Sequence, residues 1–324
     1  MIMPSQPCVA AIDADRPAPL VSVIIPCYRQ AHYLADAIES LLNQTYPRVE
    51  ILVVDDGSPD DTAAVARRYP VVYVRRLNGG LSAARNTGLS QASGGLVVFL
   101  DADDRMLPNG LQRNASLLVA DPRLGFAGGH SHYITADGAT IPSAAREWPS
   151  GDAYTALLLR NRIRMPGMVM FPRRVLDEIG GFDSAVDACG DYDLYLRVSR
   201  RFPIVFHDDV IAEYRRHDTN MSRDPTLMLR QLTHVVRRQR PFVQDDPVRR
   251  AALEAGLRNM QDYYGDQIAD RIRACVRGGR GLGAAGLDAL QLLRLNPRGF
   301  AVHVLRRGRR TLTRRPDHLQ RHKR

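Results

Sequence analysis

Three carboxylates follow directly on an apolar run: VVFL at 97–100 leads into Asp101, Asp103 and Asp104, with only Ala102 between them. VVFL has the composition of a strand buried on both faces. Carboxylates packed this closely repel one another unless positive charge lies between them. Hard oxygen ligands suit Mg²⁺ or Mn²⁺, which commonly use one or two carboxylates together with substrate phosphates. On an extended strand Asp101 and Asp103 project to the same side, so both are expected to reach one cation. Helix capping or turn chemistry accounts for Asp104, ahead of a helix begun by Pro108, but explains three acids poorly. The spacing points to a metal–phosphate site at a strand end.

A second acidic stretch, GDYDLYLRV at 190–198, has helical spacing, with Asp191, Leu194, Tyr195 and Val198 on one face. Asp193 is turned about 200° away from Asp191 and is expected to face water or bond nearby. An inward carboxylate at a helix N-terminus is a candidate base for deprotonating a hydroxyl. The same position also suits an acid that does no more than complement the helix dipole. His130 and His132 of GHSHY share a face if that stretch is a strand, but no third ligand accompanies them, so ordinary polar contacts are expected. GLGAAG at 281–286 satisfies G-x-G-x-x-G, yet it follows RIRACVRGGR rather than a strand. A dinucleotide fingerprint needs the strand before it, so these glycines read as a break between helices.

The elements that must position these acids alternate along the first half of the chain. LVSVIIP (20–26), EILVVDD (50–56), VVYVRR (71–76) and LVVFL (96–100) read as strands. Between them, Leu34, Ala37, Ile38, Leu41 and Leu42 mark an amphipathic helix. Asp60 or Asp61 is placed to cap a helix running to Arg68, and residues 81–91 and about 109–119 are helical. This order implies a parallel sheet covered on both faces, with ligands at the carboxyl ends of its strands. Asp55–Asp56 and Asp101–Asp103 end two of those strands and are expected to face one cleft. After about residue 121 the pattern loosens to α+β, and beyond Asp224 it is helical. The expected organisation is a flexible leader at 1–19, an α/β domain at 20–222, a helical extension at 223–304 and a basic tail at 305–324.

Composition closes other routes. The 324 residues are 44% hydrophobic and 25% charged, as in a folded globular protein. No run of about 18 apolar residues stands out as a membrane span, and the leader has no basic segment ahead of an apolar one. Four widely spaced cysteines form no C-x-x-C, which implies reduced thiols and a cytoplasmic location. Lys323 is the only lysine, which removes P-loop and Schiff-base chemistry. Residues 305–324 hold eight arginines, one lysine and one aspartate, so most of the net charge of +10 sits in the tail. That tail suits an anionic lipid surface or RNA, or is simply a solvated end. The near-neutral body argues against a nucleic-acid-binding protein.

Taken in order, VSVIIPCYRQAHYLADAIESLLNQTYPRVEILVVDDGSPDDT, GGLSAARNTGL, VVFLDADD, GGFDSAVDACGDYDLYLR and YRRHDTNMS resemble the family 2 glycosyltransferases of GT-A fold over about residues 20–222. The resemblance implies a Rossmann-like, mixed and mostly parallel α/β sheet with helices on both faces. It implies inverting transfer of a sugar from a nucleotide-diphosphate donor to an acceptor hydroxyl on a glycan or lipid-linked glycan, with Mn²⁺ or Mg²⁺. Carried over by position, Pro26, Tyr28 and Asp56 hold the nucleobase, and Arg85 lies by the ribose and phosphates. Asp101 lies on the ribose and metal side, Ala102 is a further nucleotide-sugar contact, Asp103 is the metal ligand bridging to the diphosphate, and His217 is a second metal or phosphate contact. Asp191 is the base. The family often has Asn where this chain has Arg29, and Glu where it has Gly190. The Gln-x-x-Arg-Trp motif of polymer-building members is absent, which implies addition of one sugar at a time, with the tail holding the protein at the inner membrane face. A nucleotidyltransferase, which also uses paired carboxylates and a metal, is the alternative within catalysis.

Overall fold

The computed structural model describes residues 17–142, 148, 151–278, 282–297 and 299–301. Most of the leader and all of the basic tail expected from the sequence lie outside the described residues. The chain opens with β1 (Val21–Cys27), α1 (Ala31–Leu42), β2 (Val49–Asp55), α2 (Thr62–Ala66), β3 (Val72–Arg75), α3 (Leu81–Gln91) and β4 (Leu96–Phe99). β1 is buried along its whole length, as its unbroken apolar text requires. Asp60 ties α2 to α1, accepting from Thr62 N and Oγ1 and from Ala31 N. After β4 come β5 (Arg105–Met106), α4 (Gly110–Ala120), β6 (Phe126–Ile134), β7 (Thr140–Ile141), α5 (Ala153–Leu159), β8 (Val169–Pro172), α6 (Arg173–Ile179), α7 (Gly190–Ser199) and β9 (Ile204–Arg215).

The strands form one sheet in the order β3-β2-β1-β4-β8-β6-β9-β5, with β7 paired to β6. The first four run parallel, with Cys27 opposite Asp55 and Ile24 opposite Phe99. β8 runs antiparallel to β4 and to β6, while β6 and β9 are parallel across a bulged register. The sheet is therefore mixed. The chain winds from β1 outward to β3 and returns on the other side of β1 to form β4. That reversal opens a crevice at the carboxyl ends of β1 and β4, where ligands bind in open α/β sheets. His130, on β6, is buried and stacks on Trp148 at 5.1 Å, an ordinary packing contact.

Three further helices follow: α8 (Pro225–Arg237), α9 (Pro247–Gly278) and α10 (Leu282–Leu295). Asp224 caps α8 through the N–H groups of Thr226 and Leu227, and Pro225 occupies its first turn. Leu232, Val235 and Val236 of α8 and Leu253, Leu257 and Met260 of α9 join the same apolar core as the sheet. Gly256 lets α9 lie against α5, because a Cβ there would meet the Leu158 carbonyl oxygen at 2.0 Å. Gly283 and Gly286 sit inside α10, and α9 rather than a strand precedes it, so GLGAAG lacks the context of a dinucleotide site. The reading of these glycines as a break between helices is corrected for Gly283 and Gly286, whose neighbours supply enough helical residues to continue the turn.

Candidate functional site

A cleft of about 1010 Å³ opens over the carboxyl ends of β1, β2 and β4. Pro26, Tyr28, Asp56, Arg85, Asp101, Asp103 and Asp191 all line it. Two site residues expected from the sequence do not. The Ala102 side chain is fully buried, and His217 stands behind the cleft wall, bonded to the lining residues Asp103, Thr219 and Asn220.

The acidic strand end differs from its expected geometry. The chain leaves β4 after Phe99, and Asp104 N–H donates to the Asp101 carbonyl at 3.0 Å, which closes a tight turn. Asp101 and Asp103 are thus corners of a turn rather than alternate residues of a strand, and their side chains take different partners. Asp101 accepts from Arg85 Nη2 at 2.6 Å, whereas Asp103 pairs through Oδ2 with His217 Nε2 at 2.8 Å. Asp104 does not start α4. It turns inward, accepts from Arg215 N–H at 2.8 Å, and leaves Oδ2 without a partner among the described residues. Burial, then the charges of Asp103 and Asp101, push the Asp104 carboxyl well above the usual range.

Arg85, from α3, is buried between the two acidic centres. Burial alone would lower its pKa, but the Asp101 and Asp191 carboxylates prevail and raise it. Its guanidinium also lies over the Phe182 ring at 5.1 Å. Asp191 stands in the first turn of α7, its Oδ1 accepting from Tyr192 N–H at 2.7 Å. Burial raises the Asp191 carboxyl above its ordinary value, with Arg85 opposing the rise. A carboxylate made more basic by its surroundings, at the wall of a cleft, is equipped to take a proton. Asp193 does not face water: it is buried and paired with Arg197 at 2.7 Å, four residues on.

Asp103 belongs to a second cluster at the end of β9. Asn220 Nδ2 lies 3.3 Å from Asp103 Oδ2, the Asn220 side-chain oxygen Oδ1 accepts from His217 N–H at 2.6 Å, and Thr219 Oγ1 meets His217 Nδ1 at 2.8 Å. Arg215, only 1% exposed, anchors the turn from below. Its Nε donates to the Asp103 carbonyl at 2.7 Å, Nη1 to the Ala136 carbonyl at 2.9 Å and Nη2 to Asp36 at 2.8 Å. Among the described residues no three His, Cys, Asp or Glu side chains converge as a metal cage. Asp103 and His217 are a carboxylate–imidazole pair, an oxygen-and-nitrogen donor set able to hold a divalent ion such as Mn²⁺ when further oxygen ligands complete it.

Asp56 serves the cleft differently from a free carboxylate. It accepts from Arg76 and from the N–H groups of Gly79 and Gly80, holding the loop at 76–80 against the opening of the cleft. Arg29 has φ +59, the left-handed region that Asn tolerates far better than Arg.

Sequence reasoning missed several cleft residues. Asp187 accepts from Leu81 N–H at 3.0 Å and Ser82 N–H at 2.6 Å, so it caps α3 from a distant segment. Gly80 at φ +91 makes room for it, since a Cβ would lie 2.7 Å from Asp187 Oδ2. Tyr133 carries Arg164 over its ring at 4.7 Å and Arg216 at 5.4 Å. Beyond Asp191 the cleft continues along Met228 and Leu232 of α8 and Tyr263, Tyr264 and Gln267 of α9. The double glycine of GGLSAARN is the local signal closest to these contacts, since Gly80 has a positive φ.

Residues 22–180 match the family model described as glycosyl transferase family 2. An uncharacterized glycosyltransferase of Rickettsia felis is 32% identical over 214 residues, 63% of this chain and 35% of that protein. Glycosyltransferase AglE of Haloferax volcanii is 30% identical over 208 residues, 60% of this chain and 66% of that protein. Chondroitin synthase of Escherichia coli is 28% identical over 211 residues, 63% of this chain and 30% of that protein. The chain thus spans about a third of the length of the R. felis and E. coli relatives. Among solved structures, S. aureus TarS 1–349 in complex with UDP-GlcNAc superposes with a TM-score of 0.60 at 19% identity, covering 79% of this chain and 81% of that one. The mannosyltransferase PcManGT from Pyrobaculum calidifontis, in complex with GDP-Man and Mn²⁺, gives 0.58 at 21% identity, covering 93% and 89%. At these identities the structural likeness is one of fold, and that fold is GT-A.

Proposed function

Because the chain belongs to glycosyl transferase family 2 through residues 22–180, we propose that it moves a single sugar from a nucleotide-diphosphate sugar to an acceptor hydroxyl, with inversion. The observation that carries this reading is the placement of two different acidic centres on one cleft, Asp103 with His217 and Asp191 with Arg85. The structures of similar fold in complex with UDP-GlcNAc, and with GDP-Man and Mn²⁺, support a nucleotide-sugar donor and a divalent ion.

In this reading Pro26, Tyr28 and Asp56 wall the nucleobase end, and Arg85 and Asp101 lie by the ribose and phosphates. The buried Ala102 lets the chain turn beneath them. Asp103 and His217 would hold Mn²⁺ or Mg²⁺, which when bound supplies positive charge for the departing diphosphate. Asp191 takes the acceptor's proton as the hydroxyl oxygen bonds to the anomeric carbon and the bond to the diphosphate breaks. One displacement from the face opposite the leaving group inverts that carbon. The continuation of the cleft along α8 and α9 supports the C-terminal helices as the proposed acceptor end, for a glycan or lipid-linked glycan. Among the described residues no helix is long and apolar enough to cross a membrane. The basic charge of segment 305–324 supports it as the proposed attachment to an anionic membrane surface, on the cytoplasmic side.

The test is product analysis with a panel of nucleotide sugars and Mn²⁺. Release of the nucleoside diphosphate with a product of opposite anomeric configuration is expected. Release of pyrophosphate instead would identify a nucleotidyltransferase.

A further inference from the structure

The last described helix has two unlike faces. Ala285, Leu292 and Asn296 are buried, with Leu292 packed against Leu229 of α8 and Ile268 of α9. Asp288 holds α10 to Arg271 at 2.6 Å, and Gln261 and Asn296 exchange side-chain-to-backbone bonds with each other's segment at 2.7 and 2.9 Å. These contacts fix the rotation of α10 about its axis. The opposite face then carries Leu287, Leu290 and Leu293, exposed by 67%, 65% and 46%. At 100° per residue these leucines fall within an arc of about 120°. Gly283 and Gly286 lie in the same arc and are exposed too, and Arg294 is the one charged residue of α10 there.

Single exposed leucines are ordinary, but three on one stripe of a helix whose other side is packed are not. The charge of the neighbouring sequence identifies what covers them. Only nine residues separate α10 from residues 305–324, with their eight arginines and one lysine against one aspartate. An apolar helix face next to a strongly basic segment matches the two components of an anionic bilayer surface, hydrocarbon just beneath phosphate. A single weak anchor gives marginal attachment, and two together hold. Arg294 fits the same surface, since its long side chain can bury its methylenes and keep the guanidinium among the headgroups.

We propose that the Leu287–Leu290–Leu293 face of α10 inserts into the interfacial layer of an anionic membrane, as the apolar half of an attachment whose electrostatic half is residues 305–324. The inference rests on the proposed membrane role of the basic segment but not on the transfer chemistry. It also gives the cleft an orientation. α10 packs on α8 and α9, whose other residues line the proposed acceptor end, so docking through α10 brings that end to the lipid surface.

The experiment compares the full chain with L287Q/L290Q/L293Q by vesicle flotation, on phosphatidylcholine alone and with about one-third phosphatidylglycerol. The substituted side chains are exposed, so an unchanged circular-dichroism melt verifies folding, and donor hydrolysis in solution should match the parent. The parent chain should bind the anionic vesicles, and the triple variant should partition at least tenfold more weakly. Its residual binding should vanish as salt is raised. Equal partitioning of both proteins would overturn the proposal, as would failure of the parent to bind. A parent that is dimeric in solution and becomes monomeric on triple substitution, without vesicle binding, would assign the face to a second copy instead. Loss of donor hydrolysis by the parent would refute the catalytic reading and leave the vesicle result standing.

Discussion

Replacing Arg215 with methionine tests how the acidic turn is held in place. The Arg215 side chain makes three hydrogen bonds, to the carbonyls of Asp103 and Ala136 and to the Asp36 carboxylate, and lies over the Tyr33 ring at 4.8 Å. Asp36 is 47% exposed and rehydrates when its partner is removed, so the ion pair itself adds little. Ala136 is also exposed, and its carbonyl finds water. The Asp103 carbonyl lies beneath a nearly buried turn, and leaving it unpaired costs about 1–3 kcal/mol. Loss of the ring contact adds about 1 kcal/mol, and methionine refills part of the volume. The expected destabilisation is therefore about 2–4 kcal/mol, read as a lower urea midpoint at unchanged slope. Lysine can reach one of the three partners but lacks the fork, so Arg215→Lys should fall between the two. Because the lost partner sits under Asp103, transfer by the folded Arg215→Met protein should also drop by on the order of tenfold or more. A loss below about 0.5 kcal/mol with unchanged transfer would refute the view of Arg215 as the support of this turn.

Arg29→Asn relieves a left-handed backbone position and should stabilise the fold by about 0.5–1 kcal/mol in urea titration; a destabilised variant would show that the Arg29 side chain matters more than its backbone. Gly80→Ala places a Cβ against Asp187 and should cost about 1–3 kcal/mol through strain and the lost cap of α3, measured by thermal or chemical unfolding. Asp103→Asn should weaken Mn²⁺ binding in the presence of donor, followed by the electron-spin resonance of free Mn²⁺, and unaltered binding would count against Asp103 as a ligand. Burial raises the Asp191 carboxyl above its ordinary value of 3.8, and a base works only when deprotonated. The acid limb of kcat/KM should therefore have its midpoint above 3.8, with activity falling as pH drops through it. An acid limb at or below the ordinary value would separate Asp191 from the rate.

Much of the N-terminal sheet was legible in the sequence because parallel strands covered on both faces are written as unbroken apolar runs, and β1, β2 and β4 lie within a residue or two of where that text placed them. Helix α1 was equally plain from its 3.6-residue period. The acidic strand end was found correctly, but its geometry was not. Extended text does not reveal where a strand stops, and the turn at Asp101–Asp104 sends neighbouring carboxylates to Arg85 and His217 instead of to one shared point. For Asp193, turned away from Asp191 by helical spacing, the structure has a nearby partner rather than water: both sides of α7 are covered, and Arg197 neutralises the buried charge. Asp187 and Arg215 act across more than a hundred positions in sequence, on Ser82 and on Asp103, and such contacts leave no local period to read.

The most direct measurement is turnover by Asp191→Asn, with donor affinity determined in parallel by calorimetry. The substitution keeps the shape of the side chain, and its Oδ1 can still accept from Tyr192 N–H, but it cannot take a proton. Donor binding near the parent value, with kcat reduced by a factor of about 10²–10⁴, is the result expected of a general base. Turnover close to the parent's, in a folded protein with normal donor affinity, would contradict the assignment of Asp191 and with it the proposed mechanism.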